Sequence, residues 1–184
     1  MALVGSIHVE LKSTLPIFTL SDTSGITYDS KDLSGDKGLL VIVTCNHCPY
    51  AIAVWPRLVR LAKAFRAKGI NSIAINPNIH PDFPQDSPSA MLEKIEEWGI
   101  DFPYLVDDTQ EVAQALDAQC TPDIYLYDAE GQLYYHGRID DYWKDESKVT
   151  QKELEPAMDA LIAAQPAPKK QYPTVGCSIK WNDA

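Results

Sequence analysis

Apolar positions along the chain fall into short runs separated by polar, glycine- and proline-rich stretches, and the period of each run predicts its element. Residues 15–20 predict a strand followed by a turn at 21–25, and 32–38, with two glycines, a loop. Leu39-Leu40-Val41-Ile42-Val43 is apolar without alternation, which suits a strand buried on both faces in the middle of a sheet. The period then changes. Ile52, Trp55, Leu58, Val59, Leu61, Ala62 and Phe65 recur at three- and four-residue spacing, with Arg57, Arg60, Lys63, Arg66 and Lys68 between them and Gly69 behind. This predicts an amphipathic helix, bent at Pro56 by the missing backbone donor, with a basic face open to solvent.

A second buried strand is expected at 70–75. Residues 76–89 carry four prolines, which predicts a loop longer than the usual connection, a kind that is often functional. A helix follows at 91–98, a strand at 104–106, a short helix at 110–118, a hairpin of 124–127 and 133–139 around Asp128 to Gly131, and a helix at 153–164. Helices alternating with strands imply an α/β domain, a mostly parallel sheet covered on both faces with an antiparallel hairpin at one edge. We read 1–164 as that domain and 165–184, with three prolines, as an extended tail.

Composition narrows the function classes. Of 184 residues, 45% are hydrophobic and 23% charged, enough for one domain with a real core. The net charge of −10 argues against nucleic acid as a partner, because phosphates would repel the chain. No apolar run approaches the roughly 18 residues a membrane span needs. The opening residues lack a basic start followed by an apolar run, so the expected location is the cytosol, with no membrane association. The acidic stretch from Asp140-Asp141 to Glu155 reads as a soluble exterior, and Tyr142 and Trp143 as groove-lining or packing residues.

The chemistry sits in four cysteines, Cys45, Cys48, Cys120 and Cys177. Cys45-Asn46-His47-Cys48 joins the central strand to the amphipathic helix, and that spacing points to redox chemistry or metal binding. A helix beginning there directs unpaired amides and its positive dipole end at the Cys45 sulfur, and His47 adds a nearby imidazole. On that argument Cys45 is the nucleophile and His47 tunes its thiolate. Cys48, one turn on, resolves a mixed disulfide. Cys120-Thr121-Pro122 precedes the hairpin and says little by itself.

The order of elements, with Cys45-Asn46-His47-Cys48-Pro49 after the central strand and Thr121-Pro122 before the hairpin, resembles the thioredoxin fold. Phe18-Thr19-Leu20 followed by Gly25 and Leu33 resembles its alkyl hydroperoxide reductase/thiol-specific antioxidant branch. Cys-Asn-His-Cys-Pro-Tyr, Cys-Thr-Pro-Asp and the Val175 to Trp181 tail resemble a peroxiredoxin-like group within it. The resemblance implies a cis-Pro122 facing the two cysteines and shaping a groove for substrate backbone. Cys120 and Thr121 then lie near the site, Cys120 becomes a candidate third thiol, and Cys177 either a structural or a resolving one. It also exposes departures. Cys45 holds the position of the family's threonine and Cys48 that of its peroxidatic cysteine. The family's preceding proline and its later arginine are absent, with Arg138 a substitute for the latter. The buried acid that thioredoxins place beneath their cysteines has no counterpart in Leu39 to Val43.

These readings converge on a thiol–disulfide oxidoreductase of cellular redox homeostasis. It acts on protein disulfides, is re-reduced by a donor of thioredoxin or glutathione type, and needs no cofactor. Its potential is expected to be less negative than the ~−270 mV of thioredoxin. Two alternatives stand beside it. One is a peroxiredoxin-like antioxidant passing through a cysteine sulfenic acid, resolved by Cys120 or Cys177. The other is a Cu(I)- or Zn(II)-binding protein using Cys45, Cys48, His47 and Cys120, with His80 or His136 as a distant ligand.

Overall fold

The computed structural model describes residues 3–182; the outermost residues of the 1–164 and 165–184 segments lie outside it. The strand expected from the unbroken apolar run is β4 (Gly38–Val43), buried along its whole length. Its pleat sends Leu40 and Ile42 to one face and Leu39, Val41 and Val43 to the other, each into its own apolar cluster.

Around it, β2 (Thr19–Asp22), β3 (Thr27–Asp29), β5 (Ile70–Asn76), β6 (Tyr104–Val106), β8 (Asp123–Asp128) and β9 (Leu133–His136) complete a seven-stranded sheet in the order β3-β2-β6-β5-β4-β8-β9. The pairs β4–β5 and β5–β6 are parallel, while β8 and β9 add the antiparallel hairpin to the other side of β4. On the first face lie α1 (Pro49–Arg66), α2 (Pro88–Trp98) and α4 (Leu154–Ile162), whose Trp55, Met91 and Met158 meet Leu40 and Ile42. On the second, α3 (Glu111–Ala115) contributes Val112 and Ala113, and Phe18 and Leu33 pack beside them. The mixed α/β architecture agrees with the sequence reading, but the sheet is not mostly parallel: β2–β3 and β2–β6 are antiparallel as well as β4–β8 and β8–β9.

Several details differ from it. Residues 21–25 belong largely to a hairpin, with β2 paired to β3. The α1 helix runs through Pro56 without interruption. Its basic face is not uniformly solvated. Arg57 is buried, ion-paired to the equally buried Asp140 and donating to the Tyr142 and Trp143 carbonyls, so neither residue belongs to an exterior charge run. A guanidinium has enough donors to satisfy a carboxylate and two carbonyls together, which permits its burial.

The tail does not project. After the turn past α4, Tyr134 donates to the Gln165 carbonyl at 2.9 Å, and Gln171 and Tyr172 bond the β9 region. Residues Val175–Ser178 then form β10, paired on one side to β1 (Leu3–Gly5) and on the other to β7 (Cys120–Thr121). Ile179 is buried in the second core cluster. Beyond it, Gln110 and Asn78 hold Lys180 and Asn182 by side-chain bonds to backbone. Both ends of the described chain are therefore seated beside the cysteines.

Candidate active site

The central strand carries the chain into the site. Past Val43, Thr44 continues the pairing with β5 through its N–H to Ile75. The next four residues turn into α1, with Cys48 in the N-cap position and Pro49 opening the helix, where its missing donor costs nothing. Cys45 and Cys48 are fully buried, and all four cysteines are free thiols. Opposite them the Thr121–Pro122 peptide is cis. The Thr121 hydroxyl lies 3.2 Å from the Cys45 sulfur and its carbonyl 3.0 Å from the Cys48 sulfur. Pro122 and Thr121 thus stand where the resemblance implies.

Cys45 and Cys48 are buried in one apolar cluster, and their surroundings push them in opposite directions. The Cys45 thiol, the Cys177 thiol and the Ala51 amide all donate toward Cys48, and together they bring it down to about 5 against the opposing effect of burial. The Thr121 carbonyl accepts only from a protonated Cys48, but it is one group against several donors. Cys45 is pushed well up, by burial first, then by the bond to Cys48 and by the nearby Asp86 carboxylate. The sequence reading expects the helix start to act on Cys45, whereas the donors there act on Cys48. The first-turn amide reaches the N-cap residue, and Cys45 lies three residues farther back, beside a negative charge.

That charge is the site's main surprise. Asp86, fully buried, arrives from a one-turn helix at Pro84–Asp86 within the proline-rich loop. It accepts from the Asn46 amide at 2.6 Å and from the Asn76 side chain at 3.1 Å, and it is hydrogen-bonded to His47 through Nδ1. Asn46 is held in turn by the Tyr104 hydroxyl at 2.9 Å and by the Gln85 carbonyl at 2.8 Å. His47 stacks on Phe83 with centroids 4.9 Å apart. A buried acid beside the cysteines is present after all, supplied by the 76–89 loop and not by the strand beneath them. Length and proline content mark that loop in the sequence, but which acid turns inward depends on the fold.

The remaining candidates separate. Cys177 packs against Cys45, Cys48 and Ala51, and burial holds its thiol up to about 12. Cys120 is buried in register with Ser178, donates to the Pro122 carbonyl, and is raised by burial and by Asp123. His136 is bound to buried Asp123 at 2.7 Å and stacked on Tyr125, which commits it structurally. His80 is partly exposed and accepts from the Asp82 amide. Arg138 is engaged by Glu153 at 2.7 Å and stacked over Tyr172, so it does not serve the cysteines. Trp143 packs against Tyr50 with the ring centroids 4.1 Å apart and the planes tilted by 40°, and the two line a groove of about 240 Å³ with Val54, Pro122, Thr174 and Val175. Tyr142 is exposed.

Ligand atoms of Cys45, His47 and Asp86 lie within 4.8 Å of one another, whereas Cys48, Cys120, His80 and His136 are not of that set. The Asp86 oxygens already accept from Asn46, Asn76 and His47, and Cys45 is held as a thiol. The partners that Asp86 already has leave its carboxylate little capacity to serve as a metal ligand.

A buried dithiol at the head of α1, facing a cis-proline in a sheet of this order, defines a thioredoxin-like protein. Within that class the chain belongs to the AhpC/TSA family, whose model matches residues 11–136. The crystal structure of an uncharacterized conserved protein from Geobacillus kaustophilus superposes with a TM-score of 0.94 and 39% identity, covering 100% of this chain and 98% of that one. The thioredoxin domain of a thiol-disulfide oxidoreductase from Bacteroides vulgatus shares the fold, with a TM-score of 0.58 and 23% identity over 70% of this chain and 89% of that one. In sequence, the thiol-disulfide oxidoreductase ResA of Bacillus subtilis (strain 168) is 26% identical over 121 residues, 66% of this chain. The chain spans 63% of the length of that relative.

Proposed function

We propose that the protein is a thiol–disulfide oxidoreductase whose attacking sulfur is Cys48 and whose second thiol is Cys45. The observation that carries this is the unequal pair itself. Cys48 sits at the N-cap of α1 and its surroundings lower it, whereas burial and Asp86 raise Cys45. The name borne by the ResA relatives agrees with this chemistry.

Cys48 attacks one sulfur of a substrate disulfide and releases the other as a thiol, leaving a mixed disulfide. Cys45 then attacks the Cys48 sulfur. The Cys45–Cys48 bond forms, the Cys48–substrate bond breaks, and the second substrate thiol departs. The substrate gains two electrons and the protein loses two. The proton of Cys45 passes to Asp86, the carboxylate beside it, before or as it attacks. Thr121 and Pro122 frame the approach, and the Tyr50–Trp143 groove receives the flanking part of a protein substrate. A dithiol or glutathione-type donor restores the reduced pair. We place the reaction in the cytosol, where such donors keep thiols reduced.

Turnover of a protein disulfide tests this directly. The Cys48→Ser variant should fall to the uncatalysed rate, while Cys45→Ser combined with Cys177→Ser, which leaves Cys48 as the lone thiol of the cluster, should stall as a mixed disulfide visible by intact mass. Full turnover by Cys48→Ser would overturn the assignment. A second reading is favoured by the position of the thiolate, since Cys48 is where the family resemblance places a peroxidatic cysteine. Stopped-flow mixing of the reduced protein with hydrogen peroxide separates the two. Oxidation at the rate of an ordinary thiolate leaves disulfide exchange, and much faster oxidation lost only in Cys48→Ser supports peroxide reduction.

A further inference from the structure

We propose that Cys177 is a second disulfide partner of Cys48, so that the oxidised site passes its bond to the C-terminal strand and latches that strand over the dithiol. The inference rests on the thiol–disulfide reading above and concerns where the bond goes after the first cycle. Its first support is contact. Cys45 and Cys48 from the loop ahead of α1 and Cys177 from β10 are buried against one another. With Ala51 and Tyr50, the three sulfurs form a small apolar cluster of their own.

The seat of β10 is built, not incidental. Cys177 is in register with Thr121, the residue whose hydroxyl meets Cys45 and whose carbonyl meets Cys48. Gly176, one residue earlier, lies so close that a Cβ there would overlap the Thr121 carbonyl oxygen, so glycine is what lets the strand approach. On the other side β1 pairs with β10, and beyond it Lys180 donates its amide to Asn78 at 2.8 Å. Cys120 shares the register but turns its thiol to the Pro122 carbonyl, leaving Cys177 as the strand's thiol at the site.

The step balances without an outside oxidant. In the Cys45–Cys48 disulfide, Cys177 gives up its proton and attacks the Cys48 sulfur. The Cys48–Cys177 bond forms, the Cys45–Cys48 bond breaks, and Cys45 leaves as a thiolate and takes the released proton. Two sulfurs remain oxidised throughout. The outcome differs in reach, since the first bond joins neighbours in one loop and the second ties the C-terminal strand to the head of α1.

The test uses the full chain. The reduced protein is treated with oxidised glutathione, blocked with N-ethylmaleimide, digested without reduction, and its disulfides mapped by mass. We expect a Cys48–Cys177 peptide beside Cys45–Cys48 in the parent. Cys45→Ser should close Cys48–Cys177 alone, and Cys45→Ser with Cys177→Ser should stop at a glutathione adduct on Cys48. A parent containing only Cys45–Cys48, with Cys45→Ser left as the adduct and Cys177 alkylated, overturns the latch while leaving the oxidoreductase reading intact. A parent that forms no internal disulfide overturns both.

Discussion

At the scale of single residues, two identical side chains three positions apart sit in opposite environments. Cys48 receives donors from Cys45, Cys177 and Ala51, whereas Cys45 faces burial and Asp86. This asymmetry links stability to pH. Cys48 is depressed on folding, so between its folded value of about 5 and the ordinary thiol range the unfolded chain binds more protons, and folding gains as pH rises through that window. Cys45 is raised, so above the ordinary range its contribution is lost. Urea midpoints should therefore rise from pH 5 to pH 8 in the reduced parent, and that slope should flatten in Cys48→Ser; an unchanged slope would place the thiolate elsewhere. Asp86→Asn keeps the shape of the acid but removes the proton acceptor. Closure of Cys45 onto a Cys48 mixed disulfide should slow by about 10²-fold, the usual scale for a positioned base, with the first attack little changed. Quenched-flow mass analysis separates the two steps. Cys45, Cys48, His47 and Pro122 were legible in the sequence, because spacing and a strand–helix junction mark them. Asp86 was not, since one acid in a proline-rich loop looks like any other until Asn46 and Asn76 are seen to turn toward it.

At the scale of elements, β4 and α1 follow from pattern, while the strands around the cysteines do not. β4 is unbroken aliphatic sequence and α1 a three-and-four-residue period, and either property survives reading one segment at a time. β1, β7 and β10 are four residues or fewer and exist only because each pairs with another segment far away in sequence. Gly176→Ala tests how much the site depends on that pairing. Its methyl must displace the Thr121 carbonyl, which should cost about 1–3 kcal/mol as an overpacking change. It should also speed the reaction of Cys48 with Ellman's reagent by loosening β10. Unaltered stability and unaltered thiol access would together show that the strand is not seated as described.

Across the whole molecule, α1, the helix that presents Cys48, is tied to the groove-lining segment beyond the hairpin by the buried Arg57–Asp140 pair and by Arg57 donating to the Tyr142 and Trp143 carbonyls. Arg57→Ala should cost about 3–5 kcal/mol in urea unfolding, because it strands a buried carboxylate. Arg60→Ala, which breaks the exposed pair with Glu146, should cost no more than about 1 kcal/mol. Equal losses in the two variants would show that the Arg57 side chain is solvated after all. The contrast also explains a misreading, since both arginines occupy the same basic helical face and only contact with Asp140 distinguishes them. The sequence by itself determined the α/β order, the central strand, the helix behind it and the cysteine pair at their junction. Those depend on local period and on residue type. Tertiary structure alone decided that Asp86 stands beside Cys45 and that Cys177 packs against both cysteines, because each depends on bringing together residues that are distant along the chain.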